Sequence, residues 1–177
     1  MSDLKDYGRA LFELARETGN IEAVYNDANT VIAITKETPD YFLILNSPTL
    51  SKEEKRDMID KAFGTLDENL CNLLKLLCDR RMSHQYHKAL GGFMDEYDLY
   101  MGILRVDAVT ARPLSEEQSE RLTKKLEAKT GKKIVINNVI DASILGGIKL
   151  RYDGIQLDGS IKTRLDNLAE GLGNIIM

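Results

Sequence analysis

Along the first hundred residues, apolar side chains return every three or four positions, the period of a helix with one buried face. Leu4, Tyr7, Leu11, Leu14 and Ala15 make one such stripe, with Ser2 placed to cap it and Gly19 to end it. Ile21, Val24, Tyr25, Ala28, Val31 and Ile32 make a second before Pro39. "DYFLIL" predicts a short third helix, ended by "NSP" because residues before proline avoid the helical region. "SKEE", Ser51 to Glu54, has the capping-box spacing and opens a helix with Met58, Ile59, Ala62 and Phe63. Asp67 caps "ENLCNLLKLLCDRR", and Ser83 precedes a longer helix with Leu90, Phe93, Met94, Tyr97 and Met101. Six helices joined by short loops predict an antiparallel bundle.

Two of these helices are apolar over too wide an arc. At about 100° per residue, the first is apolar from Ala10 through Leu14, Tyr7, Leu11, Leu4 and Ala15 to Phe12. The fifth is apolar from Leu76 through Leu73, Leu77, Leu70, Leu74 and Cys78 to Cys71. Each arc spans roughly 200°, about twice the stripe a surface helix needs. Either both helices are central and buried all round, or they lie side by side and leave an apolar groove for a partner helix. In the second case Tyr7, Ala10, Leu11 and Leu14 face Leu73, Leu76 and Leu77 across it.

The period changes near residue 104. "ILRVDAVTA" alternates as a strand does, and Pro113 ends it. "SEEQ", Ser115 to Gln118, is a second capping box before a helix with Leu122 and Leu126 that stops near Gly131. "KKIVINNVI" is another strand. The stretch "DASILGGIKLRYDGIQLDGS" then raises the question of a phosphate loop. That motif needs glycines, a lysine and a hydroxyl residue opening a helix. Here Gly146 and Gly147 lead into "IKLRY", an alternating run that places Lys149 on a strand. Asp153 and Gly154 separate two such runs, a strong hairpin signal. Gly146 and Gly147 are read as a bulge or sharp bend. Asp158, Gly159 and Ser160 close the hairpin, with Asp158 or Ser160 capping a last helix through Ile161, Leu165, Leu168 and Leu172. The fold class expected is an all-α six-helix bundle over residues 1–104, then a small α+β domain over 105–177 in the order β-α-β-β-β-α.

Charge and composition narrow the function classes. The 177 residues are 43% hydrophobic and 29% charged, as a packed globular fold requires. The net charge of −4 is uneven, with the acidic excess in residues 1–104. Without clustered Lys and Arg, no nucleic-acid partner is expected. The start "MSDLKDYGRA" lacks the basic flank and apolar core of a secretory signal. A cytoplasmic location is expected, with membranes reached only through partners. Cys71 and Cys78 lie seven residues along one helix, roughly 10 Å apart, too far for a disulfide. His84 and His87 share a helix face but have no further ligands at familiar spacing, so they read as solvated. "DEYD", Asp95 to Asp98, reads as a solvated acidic face rather than an acid–base pair. No catalytic residue, metal or cofactor is expected.

Four segments in order bear a family resemblance across essentially the whole chain: "YGRALFELA" (Tyr7–Ala15), "LNSPTLSKEEK" (Leu45–Lys55), "NLLKLLCDRR", and "DASILGGIKLRYDGIQLDGSIKTRL" (Asp141–Leu165). Together they resemble the delta subunit of bacterial F-type ATP synthases, the counterpart of the mitochondrial oligomycin-sensitivity-conferring protein. Two positions depart from the family pattern. Gly8 stands where alanine is usual, which predicts a first helix looser by roughly 1 kcal/mol, and Leu157 replaces Ile or Val. The resemblance implies a non-catalytic stator subunit on the cytoplasmic face of the bacterial membrane, held there by its complex. It implies that the helical domain holds the N-terminal segments of the alpha subunits and that the second domain binds the b subunits of the peripheral stalk. Together they would resist rotational torque during proton-driven ATP synthesis. A small-molecule regulatory domain and an RNA-binding adaptor are the alternatives. The first would need a cleft with convergent polar groups. The second would need basic and aromatic residues interleaved on the sheet, where the strands offer only Tyr152.

Overall fold

The computed structural model describes residues 3–144, 146–152 and 154–159. Ser2, Asp153, Ser160 and the expected last helix lie outside them. The chain divides into two compact units, residues 1–97 and 98–177. Seven α-helices and one four-stranded mixed sheet are formed by the described residues. The helical region carries α1 (Leu4–Thr18), α2 (Ile21–Glu37), α3 (Tyr41–Leu45), α4 (Lys52–Phe63), α5 (Glu68–Asp79) and α6 (Tyr86–Tyr100). The expectation of a six-helix bundle is met only as a helical region. α3 has five residues, and a 3-10 turn over Ser83–Gln85 stands between α5 and α6.

Local chemistry fixes most helix ends. Asp3, not Ser2, is the N-cap of α1. Its carboxylate accepts the Lys5 N–H at 3.3 Å, and the Asp6 carboxylate accepts the Asp3 N–H at 2.9 Å. Ser51 with Glu54 and Ser115 with Gln118 form reciprocal capping boxes. The Asp67 side chain caps α5 by accepting from Asn69 and Leu70. Gly19 and Gly131 end their helices in the left-handed conformation. Ser83 is fully buried, and its hydroxyl donates to the Phe42 carbonyl at 3.1 Å instead of capping α6.

The core of the helical unit is built on Phe42, Phe63, Phe93, Leu45, Ile59, Leu70, Leu74, Leu77 and Leu90. Phe42 stacks on Tyr86 with ring centroids 4.1 Å apart, and Tyr25 on Tyr97 at 3.9 Å. Cys71 and Cys78 are free, buried thiols in this core.

Gly8 has a role that its sequence-based reading lacks. It allows α1 to meet α6 backbone to backbone. A Cβ on Gly8 would stand 1.9 Å from the Ala89 carbonyl oxygen, and one on Gly92 would stand 2.3 Å from that of Lys5. Two glycines therefore face each other where the helices cross, and no side chain fits between them. Beside the crossing, Lys5 pairs with Asp95 at 2.7 Å and Arg9 with Glu96 at 3.2 Å. "DEYD" is thus an ion-pairing face, although such exposed pairs contribute little stability.

In the second unit, β1 (Ile103–Thr110) lies between β2 (Lys133–Ile140), parallel to it, and β3 (Ile148–Tyr152), antiparallel. β4 (Ile155–Asp158) pairs antiparallel with β3, giving the order β2-β1-β3-β4. The crossover from β1 to β2 is α7 (Glu116–Thr130), whose Leu122 and Leu126 pack on Leu104, Val106, Ala108, Ile134 and Leu150. Gly154 has φ 74° in the turn between β3 and β4, as a tight hairpin requires.

Gly8→Ala is expected to destabilise the chain by about 2 kcal/mol or more, because backbone cannot move aside as a side chain can. Gly91→Ala, one residue from the crossing and with nothing within 4 Å of its Cβ position, is expected to be neutral or to stabilise by up to about 1 kcal/mol. Thermal unfolding of the two variants checks this.

Burial also pushes the Cys78 thiol up to about 11 and the Tyr41 hydroxyl, which donates to the Met58 carbonyl, up to about 12. Their ordinary values are 9.0 and 10.0. The unfolded chain therefore loses these protons first as pH rises. The stability they contribute is complete below pH 9 and is lost between about pH 9 and 12. Melting temperatures at pH 8 and 10.5 should differ, and Cys78→Ala should narrow the difference.

Candidate functional site

The wide arcs of α1 and α5 resolve into a core face and an open margin. On α1, Leu11, Phe12 and Ala15 are buried, whereas Ala10 is exposed and Leu14 is 45% exposed. On α5, Leu70, Leu73, Leu74 and Leu77 are buried and Leu76 is 38% exposed. The two margins face each other across a groove of about 310 Å³ lined by Tyr7, Ala10, Leu11, Leu14, Asn69, Asn72, Leu73 and Leu76. Six of the seven residues expected there line it. Leu77 does not, because it points into the core with no exposed surface. Its position on α5 is about 100° from that of Leu76, which turns it to the buried side.

Asn69 and Asn72 were not anticipated. They precede Leu73 and Leu76 by four residues and so share their face. An apolar-arc criterion passes over them, although the spacing places them there.

Both ends of the groove are clasped. Tyr7 and Arg80 meet at one end. The Arg80 guanidinium donates to the Tyr7 hydroxyl at 2.5 Å and lies 5.5 Å from the centre of its ring. At the other, the Asn20 side-chain amide donates to the Asp67 carboxylate at 2.6 Å. These contacts show that α1 and α5 run antiparallel. On the α5 side, Arg56 pairs with Asp79 and Lys75 with Asp60, each at 2.5 Å. The groove thus has a largely apolar floor, and ion pairs lie beside its α5 margin.

The glycine-rich stretch forms no phosphate loop. Gly146 and Gly147 border a dent that also touches Pro113, Leu114 and Gln118. The nearby start of α7 is occupied by its own cap, with the Gln118 N–H donating to the Ser115 hydroxyl at 3.2 Å. Lys149 is paired with Asp158 across the β3–β4 ladder at 3.0 Å. Gly159 closes the hairpin by donating its N–H to the Ile148 carbonyl at 3.0 Å. Asp141 is held below the usual carboxylate range by hydrogen bonds from Ser143. His84 and His87 are exposed, and no group of three or more potential ligands able to hold a metal occurs among the described residues. Among the same residues no helix is long and apolar enough to cross a membrane.

Comparison with known proteins gives one consistent result. The family model described as "ATP synthase delta (OSCP) subunit" matches residues 4–172. A curated relative, ATP synthase subunit delta of Clostridioides difficile, is 33% identical over 96% of this chain and 95% of its own. The Halalkalibacterium halodurans counterpart is 33% identical over 92% and 90%. A chain in the cryo-EM structure of the Toxoplasma gondii mitochondrial ATP synthase hexamer superposes with a TM-score of 0.74 at 25% identity, over 97% of this chain and 98% of that one. With a family model matched over nearly its full length and relatives of the same length above 30% identity, the chain belongs to the ATP synthase delta (OSCP) subunit family.

Proposed function

We infer that this subunit is a non-catalytic stator element that joins the catalytic head of an F-type ATP synthase to its peripheral stalk. The α1–α5 groove receives an N-terminal helix of an alpha subunit, and the sheet unit receives the ends of the b subunits. The chain resists the torque of rotation during proton-driven synthesis, and it sits at the cytoplasmic face of the membrane through its complex. The observation that carries this reading is the groove itself. It is a trough between two clasped helices, open to solvent and floored by leucines, in a chain of this family. Burial of apolar surface contributes about 25 cal/mol per Å², so a short amphipathic helix gains enough from such a trough to offset part of its ordering cost.

Ala10 is exposed in the free subunit and lines the groove. Ala10→Asp should leave the helical content and melting temperature unchanged. It should weaken binding of an alpha-subunit N-terminal peptide by roughly two orders of magnitude, since the carboxylate would be buried without a partner. Ala33→Asp, at an exposed position of α2 outside the groove lining, should bind as the unmodified chain does. Titration calorimetry with that peptide decides the matter. Unaltered affinity in Ala10→Asp would exclude this groove.

A further inference from the structure

The leucine floor gives an incoming helix a place but no register, and the Asn69 and Asn72 amides beside it offer only neutral contacts four residues or less apart on one face. An apolar stripe can slide along it by one turn, about 5.4 Å, and still bury similar area. Register needs a polar contact at a fixed point, and the two ends of the groove differ in this respect. At the Asn20 end the polar groups already pair with one another and with the start of α5. One oxygen of Asp67 accepts from the Asn20 amide, and the other accepts from the N–H groups of Asn69 and Leu70.

The Tyr7 end carries a cation with capacity left. Arg80 is exposed at the C-cap of α5, and a guanidinium has five N–H donors. One bonds the Tyr7 hydroxyl, and the contact with the tyrosine ring holds the group at the mouth of the groove. Among the described residues no carboxylate lies within ion-pair distance of Arg80. Arg9, Arg16, Arg56 and Lys75 each meet one, and of the described cations outside such pairs Arg80 is the one bonded to a residue that lines the groove. A positioned guanidinium with unused donors matches a carboxylate, which accepts two parallel N–H bonds.

We propose that Arg80, held in place by Tyr7, is the register determinant of the groove: it takes a side-chain carboxylate at the end of the docking helix's apolar stripe. This inference rests on the reading of the groove as an alpha-subunit site. The occupant is then an amphipathic helix with an acidic residue where its apolar face ends.

The test uses the full chain and the alpha-subunit N-terminal peptide, with each acidic residue of the peptide changed singly to its amide. Arg80→Ala should bind the unmodified peptide about tenfold more weakly. Arg80→Lys should be intermediate, because it keeps the charge and loses the fork. Tyr7→Phe, which removes the hydroxyl bond to the guanidinium while keeping the ring contact, should weaken binding severalfold. One amide peptide should bind the unmodified chain about tenfold more weakly and be indifferent to Arg80→Ala, the non-additivity expected of a direct pair. Circular dichroism should not distinguish the variants. Unchanged affinity in Arg80→Ala, while Ala10→Asp abolishes binding, would overturn this proposal and leave the groove reading intact. A tenfold loss that persists with every amide peptide would overturn it too. No binding of the unmodified peptide to the unmodified chain would remove both.

Discussion

The helical unit depends on a contact between two stretches of main chain. Where α1 crosses α6, Gly8 faces the Ala89 carbonyl and Gly92 faces that of Lys5, too close to admit a single methyl group. Helix pairs separated by ordinary side chains stand 8–10 Å apart. This crossing brings α1 in further, and the rest of its surface is assigned as a consequence. With Gly8 turned to α6, Leu11 and Ala15 fall into the core, and Tyr7, Ala10 and Leu14 are left beside α5. The open groove is therefore the other side of a tight helix crossing.

The clasps then make the groove a fixed shape rather than a gap. Tyr7 to Arg80 at one end and Asn20 to Asp67 at the other tie α1 to α5 where each helix starts or stops. Asp67 itself receives order from α2, because its N–H donates to the Asp27 carboxylate at 2.7 Å. A surface held at both ends loses less conformational freedom when it binds, which leaves more of the burial energy for affinity.

Much of this was legible in the sequence, for physical reasons that are local. Capping boxes at Ser51 and Ser115, the Asp67 cap, the stops at Gly19 and Gly131, and the positive φ of Gly154 each depend on neighbours within a few residues. What escaped depends on residues far apart in the chain. Gly8 reads as a helix weakness until Gly92 is placed opposite it. Asp95 and Glu96 read as a solvated face, and their surface pairing with Lys5 and Arg9 is visible only once α1 is placed beside α6. The width of an apolar arc shows that some margin is surplus but not which one, so Leu77 was assigned to the groove with Leu76 although only Leu76 reaches it. Asn69 and Asn72 carry the right spacing and the wrong polarity for that criterion.

The most direct test of the account is methyl NMR of the full chain titrated with the alpha-subunit N-terminal peptide. Exposed apolar methyls elsewhere serve as internal controls, notably Leu43 and Ile44 on α3 and Ile155 and Leu157 on β4. The account predicts that Ala10, Leu14, Leu73 and Leu76 shift together with one saturation curve while those four remain still. Silent groove methyls with shifts at α3 or β4 would contradict it.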